Sequence, residues 1–149
     1  MTTACGPQPD TIRLTIQNSG NQDTAVLLGY ALGNGEVYLP REFIVEVTSG
    51  DGSQTEPLVF QRPLRLAGRI DNWIVPLPQQ ASFTLVLRAF DFIPLTTRSL
   101  PFKAEQLRVR LTGKTITNDL NPDLVGLRNW HVWTGEAASN TLDLRQCEH

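Results

Sequence analysis

The two cysteines, Cys5 and Cys147, carry the most reactive side chains of this 149-residue chain, and they stand at its opposite ends. Both lie in polar segments, whereas unpaired thiols are mostly buried among apolar residues. Two cysteines permit one intramolecular bridge, and structural disulfides persist in oxidising compartments. The sequence therefore predicts a Cys5–Cys147 disulfide that ties both ends together around one β-rich domain of an exported protein.

Cys5 has a second interpretation, as the lipid-modified first residue of a mature bacterial lipoprotein. The run Ala4-Cys5-Gly6 suits that modification, although Thr2 stands where an apolar residue is usual. Lipid anchoring through Cys5 therefore stays open beside the disulfide.

Groups for acid–base or nucleophilic catalysis are scarce. The only histidines are His131, which stands between Trp130 and Trp133, and the terminal His149. A hydrolytic triad needs a nucleophile, a base and an orienting group, and the chain has no Gly-x-Ser-x-Gly elbow. We expect His131 to be a packed or surface residue, and the protein not to be an enzyme.

One segment offers hard oxygen ligands at alternate positions, namely Asp119, Asn121 and Asp123. This spacing is that of the opening of a calcium-binding EF-hand loop. However, Leu124 stands where glycine is needed and Trp130 where a glutamate is needed. An Asx-rich turn is the plainer interpretation, a looser calcium loop is the alternative, and no other metal or cofactor is predicted.

Two long loops are predicted, over residues 62–71 and 90–103, and they pair arginine with apolar side chains. Arginine and aromatic residues are enriched at protein interfaces. We therefore expect a partner to bind these loops rather than a sheet face. The candidate contact residues are Arg62, Arg65, Arg69, Phe90 and Phe92.

Aromatic side chains could instead stack on sugar rings. The candidates are Trp73, Trp130, Trp133, Tyr30 and Tyr38. Trp130 and Trp133 are three residues apart, so in a regular strand they face opposite sides and at least one should be in the core.

Length and charge narrow the class of protein. A chain of 149 residues with a formal charge of −2 is a single-domain length without the basic character of a nucleic-acid-binding protein. It has no apolar run long enough to span a membrane.

The first residues lack the pattern of a signal peptide. The chain is therefore either cytosolic or a mature exported form, and the cysteine pair favours export. Residues 1–9 are expected to form a short flexible N-terminus of the single domain 1–149.

Alternation of apolar and polar residues predicts β-strands over most of the chain. The clearest are 11–17, 82–88 and 105–112; the others are 24–30, 42–48, 57–61, 72–77 and 141–145. Seven to nine such strands with turns between them are typical of an antiparallel, immunoglobulin-like β-sandwich, with a closed barrel as the alternative. The predicted inward-facing residues are Ile12, Leu14, Ile16, Phe83, Leu85, Leu87, Leu107, Val109 and Leu111.

Residues 133–142 follow the pattern W-x-G-x-x-x-S-N-x-L. This ending resembles that of small exported bacterial proteins of unknown function with predicted immunoglobulin-like sandwiches. The middle of the chain is compatible, with LGNG and VYLP over residues 32–40 and LAGRIDN and VPL over residues 66–77. The resemblance implies a fold and export, and it implies no catalytic residue.

The sequence thus predicts a non-enzymatic, exported binding or structural module that contacts a protein partner or a cell-surface component. The first alternative is a protease inhibitor that presents the loop 90–103. The second is a carbohydrate-binding module. No feature of the sequence predicts an oligomeric state.

Overall fold

The computed structural model describes residues 1–8, 10–32, 37–61, 70–95, 100, 102–115 and 130–147. Within them the chain forms strands, two short 3₁₀ turns (Ala89–Asp91 and Leu144–Cys147) and no α-helix. The strands are β1 (Thr2–Cys5), β2 (Thr11–Gln17), β3 (Thr24–Leu32), β4 (Val37–Leu39), β5 (Phe43–Ser49), β6 (Thr55–Phe60), β7 (Ile70–Leu77), β8 (Ser82–Arg88), β9 (Phe92–Pro94), β10 (Ala104–Thr112), β11 (His131–Val132), β12 (Glu136–Ala138) and β13 (Leu142–Asp143).

Two sets of predicted site residues lie outside this part of the chain. They are the arginines Arg62, Arg65 and Arg69, and the calcium candidates Asp119, Asn121 and Asp123.

The first sheet has the strand order β1-β2-β8 and is antiparallel. The alternation that predicted β2 and β8 is present in both, because Leu14 pairs with Leu85 and Ile12 with Leu87 on the buried face. β1 was not predicted. The expectation of a flexible N-terminus therefore needs correction, since Thr2–Cys5 pairs with β2 and buries Thr3.

The second sheet is built around β3, which pairs with β7 on one side and with β4 and β11 on the other. The register between β3 and β7 shifts at Gly29, whose φ is +148°. A Cβ atom on Gly29 would lie 1.9 Å from the Leu39 carbonyl oxygen. Only glycine lets β3 pass so close to the end of β4.

The third sheet runs β12-β10-β5-β6-β9, with β13 also paired to β10. Proline is usual at sheet edges because it cannot donate to a ladder, yet β6, which contains Pro57, lies between β5 and β9. The sheet tolerates this proline because its backbone nitrogen faces the short β9, where the Pro57 carbonyl oxygen still accepts a hydrogen bond from the Leu95 N–H at 3.2 Å.

One hydrophobic core joins the three sheets, and its most deeply buried side chains include Leu14, Leu28, Phe43, Val45, Val109 and Leu111. Of the nine residues predicted as core, all but Phe83 are buried. Phe83 is half-buried, with its ring edge-on to Trp73 at a centroid distance of 6.4 Å. The prediction of an all-β sandwich of antiparallel sheets is confirmed.

The C-terminal segment 131–147 contacts all three sheets. β11 pairs with β3, while β12 and β13 pair with β10. The chain changes sheets at a corner, where the Trp133 N–H donates to the Ala25 carbonyl at 3.0 Å and the Gly113 N–H donates to the Gly135 carbonyl at 2.7 Å. A Cβ on Gly113 would lie 2.6 Å from the Trp133 ring, so the corner requires glycine there.

Asn140 connects this segment to the first sheet. Its side-chain oxygen accepts the Thr3 N–H at 2.7 Å, and its side-chain nitrogen donates to the Thr3 carbonyl at 3.2 Å. The amide thus occupies the place of a neighbouring strand residue beside β1. The preceding Ser139 is bound to β10, because its Oγ accepts the Val109 N–H at 3.0 Å and its own N–H donates to the Val109 carbonyl at 2.9 Å.

A Cys5–Cys147 disulfide joins β1 to the last 3₁₀ turn, with a Cα–Cα distance of 5.3 Å. The predicted bridge is confirmed. Because the Cys5 sulfur is part of this bond, it has no thiol for a lipid thioether, and the lipid-anchor alternative is wrong for this form of the protein. The predicted last strand 141–145 is also shorter than expected, since the chain turns into a 3₁₀ turn at Leu144.

Replacing Val109 by Ala should lower the free energy of unfolding by about 2 kcal/mol, because Val109 is 0% exposed and its loss leaves a cavity. The matched control is Val86→Ala on β8, where the side chain is 49% exposed; a change within about 0.5 kcal/mol is expected there. Urea unfolding monitored by tryptophan fluorescence measures both. Equal losses at the two sites would contradict the assigned inward face.

Replacing both cysteines by serine should lower the free energy of unfolding by about 4–5 kcal/mol, because the bridge closes a loop with a sequence separation of 142 residues. Thiol titration of the denatured, unreduced protein is the direct measurement, and no free thiol is expected. Two titratable thiols would disprove the bridge and remove the support it lends to export.

Candidate binding site

Phe90 and Phe92, the two described members of the predicted partner-binding set, have opposite environments. Phe90 lies in the 3₁₀ turn after β8 and is 64% exposed, whereas Phe92 is 4% exposed. The Phe92 ring packs edge-on against Phe60 at a centroid distance of 5.7 Å. The prediction of Phe92 as a contact residue is therefore wrong, because β9 turns this side chain into the core and its neighbour Ile93 outward.

Residues 90–95 expose three large apolar side chains, and we call them the apolar segment. Phe90 and Leu95 are more than 60% exposed and Ile93 is 36% exposed. Ile93 lies opposite Val59 on the outer side of β6. The predicted loop 90–103 is thus partly a strand, and its exposed apolar residues are Phe90, Ile93 and Leu95 rather than Phe92.

A small cleft of about 340 Å³ opens beside Phe90, and we call it the apolar cleft. Core residues such as Val47, Leu58 and Leu107 line it, together with Cys147 of the disulfide. Asp10 is the one charged residue in the described lining. An apolar side chain of a partner could therefore enter this cleft and contact core residues.

A larger cleft of about 540 Å³ lies at the other end of the sandwich, and we call it the polar cleft. The two clefts are at opposite ends of the sandwich, because β2 begins with Thr11 at the apolar cleft and ends with Gln17 at the polar cleft. The polar lining is Gln17, Asn18, Ser19, Asn21, Gln22, Thr24, His131 and Glu136. The apolar lining is Met1, Ile16, Val26, Leu77, Leu111, Trp133 and Ala137.

Asn18 holds the turn that forms one wall of the polar cleft. Its side-chain nitrogen donates to the Gln22 carbonyl at 2.8 Å and to the Leu77 carbonyl at 2.9 Å. Its side-chain oxygen accepts the Gly20 N–H at 3.0 Å. The backbone of Asn18 also exchanges hydrogen bonds with the turn after β7, through Ala81 and Gln80. The wall is therefore fixed by bonds to its own turn and to a neighbouring one.

The aromatic candidates separate into different places. Trp133 lines the polar cleft, whereas Trp73 packs against Tyr38 at a centroid distance of 4.8 Å and lines neither cleft.

His131 also lines the polar cleft and is exposed, as the surface interpretation predicted. Sequence reasoning missed the polar cleft because residues 18–22 read only as a turn.

Two ion pairs lie near the disulfide on the outer side of β10. Arg145 contacts Asp143 at 2.6 Å and Glu105 at 3.7 Å. The hydrogen bond from Arg145 lowers the pKa of the Asp143 carboxyl below its ordinary value. Arg145 is exposed and the two carboxylates are half-buried, and all three are paired, so they form the surface of the C-terminal turn rather than a site.

Among the described residues, no group of three or more His, Cys, Asp and Glu side chains is placed to hold a metal ion. The same part of the chain contains no helix that is long and apolar enough to cross a membrane.

Comparison with known proteins returned no matching family model, no matching curated sequence and no matching solved structure. The candidate sites therefore rest on this chain's own geometry.

Replacing Asn18 by Ala should lower the free energy of unfolding by about 1–2 kcal/mol, because it removes the amide that joins the turn to the Leu77 and Gln22 carbonyls. Asn21→Ala is the matched control, since Asn21 lines the cleft but is exposed; a change within about 0.5 kcal/mol is expected. Urea unfolding tests both variants. An Asn18→Ala variant as stable as the control would show that the turn does not depend on this amide.

Proposed function

We propose that this protein is an exported, non-enzymatic binding module that contacts a protein partner or a cell-surface component through the apolar segment. The observation that carries the proposal is the exposure of Phe90 and Leu95, at 64% and 62%, beside an apolar cleft. Contiguous exposed patches of large apolar residues are typical of interaction sites. The disulfide is compatible with export, because such bridges persist outside the reducing cytosol.

A partner docks on this segment with side chains rather than by adding a strand. The Gln61 N–H donates to the backbone carbonyl of Asp91, and the Leu95 N–H donates to the backbone carbonyl of Pro57. The backbone groups of alternate residues in this stretch therefore face β6. Of the residues between, Phe92 uses its N–H within the 3₁₀ turn and Pro94 has none. The free edge of β9 thus lacks the donors that strand addition requires.

Phe90 is the natural centre of the contact. Aromatic side chains provide much of the energy of protein interfaces when a partner excludes water from them. The apolar cleft beside Phe90 can receive a side chain from the partner, because its lining is almost wholly apolar. The polar neighbours Asp10 and Arg88 are exposed and of opposite sign, so they favour no strongly charged partner.

The first alternative, a protease inhibitor, has less support from the geometry. An inhibitory loop must present an extended, exposed segment to the enzyme. In this protein Phe92–Pro94 pairs with β6, and Phe92 is buried. Residues 96–99 and 101 of the predicted loop lie outside the described residues.

We also propose that the sandwich is immunoglobulin-like and that the chain belongs with the exported bacterial proteins its ending resembles. In support, each motif residue we single out, Gly135, Ser139, Asn140 and Leu142, makes a contact that closes the fold. A motif made of such contacts marks shared architecture rather than shared chemistry.

The test places a photo-crosslinking amino acid at position 90 of the full chain, expressed in the source cells, and compares it with the same label at the exposed position 86. The partner identified at position 90 is then purified, and its affinity is measured for Phe90→Ala and Val86→Ala. Truncation of a central aromatic contact should weaken binding by roughly 30-fold or more, and the control should not change it. Equal affinities for wild type and Phe90→Ala, with the fold intact, would contradict the proposal.

A further inference from the structure

We propose that the polar cleft is a second binding site, and that its ligand is a neutral saccharide of one or two rings. The site lies at the end of the sandwich opposite the apolar segment, so it does not depend on the proposed protein contact. Its volume of about 540 Å³ falls within the range of about 300–1,000 Å³ that small-molecule sites occupy.

The class of ligand follows from the side chains that line the cleft. Amides of Asn21 and Gln22 both donate and accept hydrogen bonds, as vicinal sugar hydroxyls do. Among the described residues that line the cleft there is no lysine or arginine, so they form no cluster of positive charge for a phosphate or sulfate ester. Glu136 is the one carboxylate in the described lining, too few for a divalent cation. The complementary ligand is therefore polar and uncharged.

The floor of the cleft complements the other part of a sugar, its apolar C–H face. Aliphatic side chains and the half-buried Trp133 form this floor. Trp133 is fixed in place, because its backbone N–H donates to the Ala25 carbonyl and its indole ring lies against the backbone at Gly113. A pyranose ring can rest on such a floor while the amides above it bind its hydroxyls.

The amide side chains stand on a wall that is already ordered. Asn18 and the neighbouring turn after β7 fix the backbone of residues 18–22 through the bonds described above. The side chains of Asn21 and Gln22 make no hydrogen bond to another described residue, so they are open to a ligand. A rigid wall with open polar side chains reduces the entropy that binding must overcome.

The experiment titrates the uniformly ¹⁵N-labelled full chain with glucose, galactose, mannose, xylose and N-acetylglucosamine and with their β-linked disaccharides. Amide chemical shifts are followed up to ~100 mM sugar, a range that reaches weak affinities. At least one sugar should give saturable shifts centred on Gly20, Gln22 and His131. The absence of saturable shifts with every sugar, or shifts centred on Tyr38 and Trp73 instead, would overturn the proposal.

Variants test the assignment to the cleft. Gln22→Ala combined with His131→Ala should weaken binding by roughly 5- to 10-fold, the loss expected for one or two hydrogen bonds. Asn21→Trp should block the cleft by bulk and abolish the shifts without touching the core. Gln54→Ala, an exposed glutamine in the β5–β6 hairpin, and Phe90→Ala should both bind as wild type.

Unchanged affinity in both cleft variants, with the fold intact by circular dichroism, would place the sugar elsewhere and disprove the site. Such a result would leave the proposed function unaffected, because the apolar segment is tested separately, by the affinity of Phe90→Ala for the crosslinked partner. Loss of binding in Phe90→Ala as well as in the cleft variants would also disprove the proposal, since the two ends should act independently.

Discussion

The paired hydrogen bonds between the Asn140 amide and the Thr3 backbone are the contact on which the closure of this sandwich depends. A side chain here takes the role of a strand and completes the edge of the first sheet from a segment that belongs to the third. On either side of it, Ser139 binds β10 and Leu142 returns to the core. Three separately hydrogen-bonded sheets thereby become one body with one core. The disulfide joins the same strand, β1, to the last 3₁₀ turn.

This arrangement leaves the two ends of the sandwich with different chemistry. At one end, the turn after β8 exposes Phe90 beside a cleft with an almost wholly apolar lining. At the other, a tightly bonded turn with polar side chains and the ring of Trp133 line the polar cleft. The outer surface of the first sheet instead carries mostly polar and charged side chains around the exposed Val86; Thr15 and Thr84, for example, bond each other at 2.9 Å. Binding capacity is thus concentrated where strands end, as is usual when a rigid scaffold carries recognition residues on its turns.

The sequence predicted the long strands well, because seven or more residues contain several full periods of alternation. β2 and β8 were located to the residue, and β10 to within one. Strands of two or three residues, such as β9 and β11, contain no complete pattern and were missed. Phe92 was misassigned for the same reason: one aromatic residue in so short a strand does not reveal which way it faces. The bonds of Asn140 to Thr3 join residues 137 positions apart, and no local pattern indicates such a contact. The polar cleft was missed because a turn such as 18–22 becomes a wall only when another turn packs against it.

The bridge between residues 5 and 147 also determines how the molecule carries mechanical load. Tension applied to the chain outside these two residues passes from Cys5 to Cys147 through the sulfur–sulfur bond and does not pull on the strands between them. A covalent bond tolerates far larger forces than a ladder of hydrogen bonds does. Residues Thr2–Ala4 of β1 lie outside the bridge and are loaded, but the sandwich from Cys5 to Cys147 stays unloaded while the polypeptide on either side is stretched. In an oxidising environment the domain acts as an inextensible link, and a reductant converts it into an extensible one.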